Sequence, residues 1–332
     1  MTDTRLDVLA IGDAVVDVFA TADDDFLIEE GLPKGSMRLI DAAEAKRLYG
    51  RMNQAREISG GSAANSMAGL AALGRRAGFV GQVAADQLGE IFEHDIRAQG
   101  VEFRTPPLDS EVPTGRCLIL VTPDGQRTMN TFAGAAHQLS ADALDEDQIA
   151  GAAILYLEAY LWRPLGPRAA MKRAIEVAKG AGRKVALTMS DIACIASARD
   201  SFLEIIGSGA IDLLFANENE IKALAGIDDT EAAMERFAGE VAVMVVTCSE
   251  KGAVGIENGR RVAVAADRID NVVDTTGAGD LFAAGFLCGH VEGRPIEQCL
   301  RMGSIAAAEI ISHFGARPEA DLKALIAEKL GG

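Results

Sequence analysis

The chain has 332 residues, 49% of them apolar and 24% charged, a length and balance that fit one large α/β core with a smaller appendage and exclude disordered, collagen-like and mucin-like classes. Its 49 acidic against 32 basic residues give a net charge of −17, which repels polyanions and anionic membrane surfaces, so neither nucleic acid nor a membrane is an expected partner. A small anion such as ATP stays admissible, because a few local N–H groups and Mg²⁺ hold it rather than the overall field.

Short β-rich apolar runs alternate with longer stretches whose apolar residues recur every three or four positions. In chain order, strands are predicted at 7–11 and 79–83, a helix at 88–99, a strand at 153–157 and a helix at 168–181. Strands at 184–188 and 212–215, a helix at 230–238, a strand at 241–247 and a helix at 295–313 follow. The pattern predicts a doubly wound, mostly parallel α/β sheet flanked by helices, built from residues 1–12, 40–102 and 133–332. Segments 13–39 and 103–132 read as strands with turn residues, and 117–121 with 128–132 around Pro123-Asp124-Gly125-Gln126 reads as a hairpin. These segments are assigned to a small β-rich lid over the acceptor site.

The motifs fall at element ends. Gly12-Asp13 closes the first strand, so Asp13 and Asp17 stand where ligands meet an open α/β sheet, and a carboxylate there can grip a vicinal diol; solvated loop acids are the competing reading. Ser59-Gly60-Gly61-Ser62-Ala63-Ala64-Asn65 leads into an Ala-rich helix. Gly60 and Gly61 permit close backbone approach and Asn65 suits sugar hydroxyls, while small-residue helix packing with Ser62 as a cap explains the run equally well. Asn217-Glu218-Asn219-Glu220 offers oxygens for Mg²⁺-bound water or, equally, a helix cap. The strongest segment is Asp274-Thr275-Thr276-Gly277-Ala278-Gly279-Asp280. Its small residues let N–H groups converge at a helix start as a phosphate cradle, with Asp280 placed to take a proton from an attacking hydroxyl. An ordinary turn with Asp280 as a cap is the alternative.

Other chemistries lack their signatures. The sequence has no Gly-Lys dipeptide for a Walker A loop, no G-x-G-x-x-G, no metal-like histidine spacing and no G-x-S-x-G around Ser62. Five cysteines without a C-x-x-C pair read as reduced, buried thiols, and acids interrupt any leader-like run near the start, so a cytoplasmic location is expected.

With these residues in view, the chain resembles the ribokinase-like (pfkB) family of carbohydrate and nucleoside kinases from end to end. Gly60-Gly61-x-x-x-Asn65 is similar to the family's first signature and the 274–280 segment to its highly specific second one. The resemblance implies that Asp280 is the general base, that Gly277, Ala278 and Gly279 form the anion hole, and that Asp17, Gly60, Gly61 and Asn65 bind the acceptor. It implies ATP and Mg²⁺ as cofactors, with Asn217 and Glu220 as the N-x-x-E motif acting on phosphate and, through water, on Mg²⁺. Asp274, Thr276 and Gly315 match positions that bind an activating K⁺ in many members. Thr247-Cys248-Ser249-Glu250-Lys251-Gly252 resembles the nucleotide-binding T-x-G-x-x-G, giving Thr247 and Gly252 to ATP, although Ser249 replaces the middle glycine.

Within the family the likeness is to the adenosine kinase subgroup, carried by Asp24-Asp25-Phe26-Leu27, Pro113-Thr114-Gly115-Arg116-Cys117, Gln126-Arg127-Thr128 and Leu213-Leu214-Phe215-Ala216-Asn217-Glu218. It implies that Cys117 and Leu161 lie near the base and Arg127 near the transferred phosphate. Asp13 departs from the asparagine usual in that subgroup. The expected activity is transfer of the γ-phosphoryl group of ATP to the 5′-hydroxyl of a nucleoside, with adenosine as acceptor. A sugar kinase, a kinase for another nucleoside, a nucleoside-binding protein without turnover and a hydrolase built on Ser62 are the alternatives. The partner is a small nucleoside or sugar, and monomer and homodimer are both open.

Overall fold

The computed structural model describes residues 5–269 and 271–331. Strand runs such as Leu6–Ile11 are apolar on both faces, as a sheet covered by helices on each side requires. Side chains alternate between two cores: Val8 and Ala10 enter one apolar cluster, Leu9 and Ile11 the other. The nine-stranded sheet runs Arg260–Val264, Ala253–Glu257, Val243–Thr247, Leu213–Asn217, Lys184–Thr188, Ala152–Glu158, Leu6–Ile11, Ala77–Val80, Glu102–Phe103. From Val243–Thr247 onward every neighbouring pair is parallel. The other edge is an antiparallel hairpin turning at Asn258-Gly259, both with positive φ, a turn signal that the alternation-based reading passes over.

The second sheet has five strands in the order Met37–Leu39, Arg127–Gly134, Thr114–Val121, Val15–Thr21, Arg56–Gly60. The hairpin expected around Asp124 is present, with Val121 opposite Arg127. Four strands come from the two segments that broke the α/β alternation, and Arg56–Gly60 comes from within 40–102. Residues 13–39 also hold a short helix, Asp24–Glu29, whose first turn is capped by Asp23 accepting from the Phe26 N–H at 2.8 Å.

This architecture delivers chemistry to one rim. Asp13, Glu158, Asn217 and Thr247 all lie at the carboxyl ends of parallel strands, where open α/β sheets bind ligands. Against that rim comes the start of the helix Ala278–Val291, whose residues Leu281–Gly289 are buried on every side, so an apolar helix is pinned with its N-terminus at the cleft. No helix among the described residues is long and apolar enough to cross a membrane.

Candidate active site

Asp280 occupies the first turn of the Ala278–Val291 helix. Its carboxylate accepts from Ser62 Oγ at 2.6 Å and from Asn65 Nδ2 at 3.0 Å, both on the facing helix Ser62–Ala72. Burial raises its proton affinity, while those two hydrogen bonds and the nearby Arg317 charge oppose the rise. The Ser62 hydroxyl thus donates its proton to the Asp280 carboxylate. Gly277 caps the helix at φ 79°, and a Cβ on Gly279 would stand in open space, so the backbone at this positive helix end is approachable by an anion.

Asp17 is 8% exposed and projects from the smaller sheet. Burial pushes its carboxyl up to about 7, against the Arg317 and Arg127 charges. A Cβ on Gly60 would lie 2.3 Å from Asp17 Cγ, so the glycine exists to make room for the carboxylate. Gly61, at φ 97°, brings its α-carbon against the Asp13 carbonyl, where a Cβ would come within 2.2 Å of the oxygen. Cys117 lies directly across the strand pair from Asp17; its Sγ accepts from Thr131 Oγ1 at 3.3 Å, and burial pushes the thiol up to about 12.

Asp13 has a companion that sequence reasoning missed. The fully buried Glu158 accepts from the backbone N–H of Asp13 at 2.5 Å and of Ala63 at 2.7 Å, tying the first strand's end to the start of the Asn65 helix. Burial pushes Asp13 up to about 7 and raises Glu158 as well. Asp13 Oδ1 is buried without a hydrogen-bond partner, with His137 Nε2 3.8 Å away. His137 lines a cavity of about 490 Å³ together with Thr131, Phe132 and Arg163. Leu161 is buried in the apolar cluster of Leu157 and Trp162.

Arg127 and Asp274 meet between the sheets. Arg127 Nη2 lies 2.5 Å from Asp274 Oδ2, both side chains nearly inaccessible, and the guanidinium sits over the rings of Phe19 and Phe314. Asp274 also accepts from the N–H groups of Thr276 and Gly315, each at 3.1 Å. The three residues expected to hold K⁺ are therefore together, but Arg127 supplies the positive charge there. As arranged, they do not fit a second cation.

On the nucleotide side, Asn217 and Glu220 form a reciprocal capping box: Asn217 Oδ1 accepts from the Asn219 and Glu220 N–H groups, and its own N–H and Nδ2 donate to Glu220 at 2.9 and 2.7 Å. Burial pushes Glu220 up to about 7. Each Glu220 oxygen keeps a lone pair, so the residue fits a role toward metal-bound water. Thr247 ends its strand, and Gly252 follows at φ 103°. Ser249 adopts φ 50°, the left-handed backbone of the glycine it replaces.

The structure thus brings Asp17, Gly60, Gly61, Asn65, Arg127, Asp274 and Asp280 together, turns Ser62 from the expected cap into a donor to Asp280, since Gly61 is the N-cap, and adds Glu158 and Arg317, which carried no motif signal of their own. The chain matches the pfkB family carbohydrate kinase description over residues 35–322. A solved adenosine kinase from Sinorhizobium meliloti is similar at 47% identity and a TM-score of 0.91, covering 99% of this chain and 100% of that one. A probable sugar kinase from Rhizobium etli CFN 42 is similar at 45% identity and a TM-score of 0.92, covering 99% of both chains. The guanosine-inosine kinase of Escherichia coli K12 is 29% identical over 74% of this chain and 58% of its own length.

Proposed function

Since the chain belongs to the pfkB family of carbohydrate kinases, we propose that it transfers the γ-phosphoryl group of ATP to the 5′-hydroxyl of a nucleoside, with adenosine as acceptor. The observation that carries the reading is Asp280, a carboxylate held by Ser62 and Asn65 at the mouth of a positive helix end. Asp280 takes the 5′-hydroxyl proton as that oxygen attacks the γ-phosphorus, the bond to the bridging oxygen breaks, and AMP and ADP result. N–H groups of Gly277, Ala278 and Gly279 receive the charge that develops on the phosphoryl oxygens. Asp17 grips the ribose hydroxyls, with Gly60 and Gly61 forming the floor, and Asp13, Cys117 and Leu161 border the base.

Thr247, Gly252 and Asn217 would hold ATP, and Glu220 would accept from water on a bound Mg²⁺, whose contribution would be neutralisation of phosphate charge. The smaller sheet acts as a lid. Its Arg127 leaves Asp274 for the transferred phosphate as the lid closes, excluding water that would otherwise compete as acceptor. No step is assigned to K⁺. The net acidity and the fold fit a cytoplasmic enzyme acting on a small molecule.

A second reading keeps the chemistry and changes the acceptor to another nucleoside or a sugar. It is favoured by Asp13, whose unpartnered Oδ1 presents a different group from an amide. ADP release with Mg-ATP and K⁺ should be measured over adenosine, guanosine, inosine, ribose, fructose and 2-keto-3-deoxygluconate. Turnover confined to adenosine is expected; turnover with another member of the panel selects the second reading, and none at all overturns both. Asp280→Asn should lower kcat by roughly 10²–10⁴-fold while adenosine still binds in calorimetry. Near-native turnover would remove Asp280 from the mechanism.

A further inference from the structure

We propose that Arg317 is a positioning residue of this site: its guanidinium sets the Asn65 amide toward Asp280 and is the counter-charge that Asp17 and Asp280 share. The inference rests on Asp280 being the base. Arg317 lies two residues after Gly315 and matches no motif itself, yet it reaches across to the Ser59 and Asn65 segment. Nη1 donates to Asn65 Oδ1, and Nη2 donates to the Ser59 carbonyl at 2.6 Å and to Ser59 Oγ at 2.9 Å. Ser59 is itself fixed, its N–H and hydroxyl both donating to Asp95 Oδ2 at 2.9 and 2.6 Å.

A guanidinium carries donors only. The Asn65 atom facing it must therefore be oxygen, which leaves Nδ2 to donate to Asp280 at 3.0 Å. With the amide reversed, its NH₂ would face the guanidinium and its oxygen the carboxylate, two repulsive contacts in place of two bonds. Arg317 thereby decides how Asp280 is held without touching the acceptor.

Charge gives the second half. Asp280 is faced by Glu158 from a strand end, by Glu220 from the helix Glu218–Ala225, by the Tyr156 and Tyr160 phenols, by Asp17 from the smaller sheet and by Arg317. Arg317 is the cation opposing burial at Asp280, and it is the larger of two such cations at Asp17, ahead of Arg127. Its Nε is buried without a partner. A guanidinium buried with one donor unpaired is costly as a packing element, and an apolar side chain would fill the space more cheaply, so the charge itself has a role.

The test is the acid limb of kcat against pH with the preferred acceptor. Arg317→Met should lower kcat and move that limb to higher pH, because Asp280 loses its counter-charge. Arg317→Lys should restore the limb while leaving part of the kcat loss, since an ammonium keeps the charge but not the fork. If Arg317 acts through Asn65, the kcat loss of the Asn65→Ala, Arg317→Met double variant should match that of Asn65→Ala alone. Any melting shift in Arg317→Met is read separately, and Arg317→Lys carries the test where Met impairs folding. An unmoved acid limb in a folded variant, or additive losses in the double variant, would overturn the proposal. Asp280→Asn retaining turnover would instead overturn the reading beneath it.

Discussion

Gly60 and Asp17 show how much of a site rests on one missing atom. Any Cβ at position 60 would fall inside the Asp17 carboxyl group, so the side chain would have to swing out of the cleft. Gly60→Ala should therefore raise the acceptor KM by roughly tenfold or more, about 1.4 kcal/mol of lost binding, while the ATP KM stays within about twofold. An unchanged acceptor KM would mean that Asp17 does not grip the acceptor. The glycine pair was readable as a close-approach signal, but its cause was not, because Asp17 arrives from another strand. Asn65 illustrates the same limit: its type suggested sugar hydroxyls, whereas its amide is engaged by Asp280 and Arg317. Arg317 was invisible because a lone arginine in a loop has no pattern, only a location.

Single loops and turns carry their own strain. The turn after Val243–Thr247 forces Ser249 to φ 50°, a conformation that costs a residue with a Cβ about 1–2 kcal/mol. Glycine there relieves the clash and returns part of the gain as unfolded-state entropy. Ser249→Gly should raise stability by about 0.5–1 kcal/mol in urea melts with an unchanged m-value. A loss of stability would show that the serine side chain makes a compensating contact. At this scale the sequence was most informative: the strand predicted at 184–188 matches Lys184–Thr188, and the helix predicted at 230–238 differs from Thr230–Phe237 by one residue. Both are bounded by strong turn or cap residues, such as Asp229, which caps the helix by accepting from the Ala232 N–H. Arg56–Gly60 was missed as a strand because it is short, half polar and pairs with Val15–Thr21 rather than with its α/β neighbours. The Asn217–Glu220 pair was read with two meanings, and its local geometry is the cap.

For the molecule as a whole, the cleft gathers carboxyl groups that fold into proton-holding environments. Asp13 and Asp17 are pushed from 3.8 to about 7 and Glu220 from 4.5 to about 7, so between roughly pH 4 and pH 7 the folded state binds more protons than the unfolded chain. Stability of the ligand-free protein should accordingly fall as pH rises through that window and level off above it. Thermal melts at constant ionic strength from pH 5 to pH 8 would show this as a declining Tm, and Asp17→Asn should flatten the decline. A Tm that rises across the range would contradict the burial of these groups as charged species. The contacts that make the cleft are also remote in sequence, since Ser62 reaches Asp280 over 218 positions and Asn65 reaches Arg317 over 252. A growing chain can form most of its sheet early, but it has no complete cleft until residue 317 has left the ribosome. On the proposed reading, catalytic competence thus arrives late in synthesis, after every residue assigned to nucleoside and ATP is already in the chain.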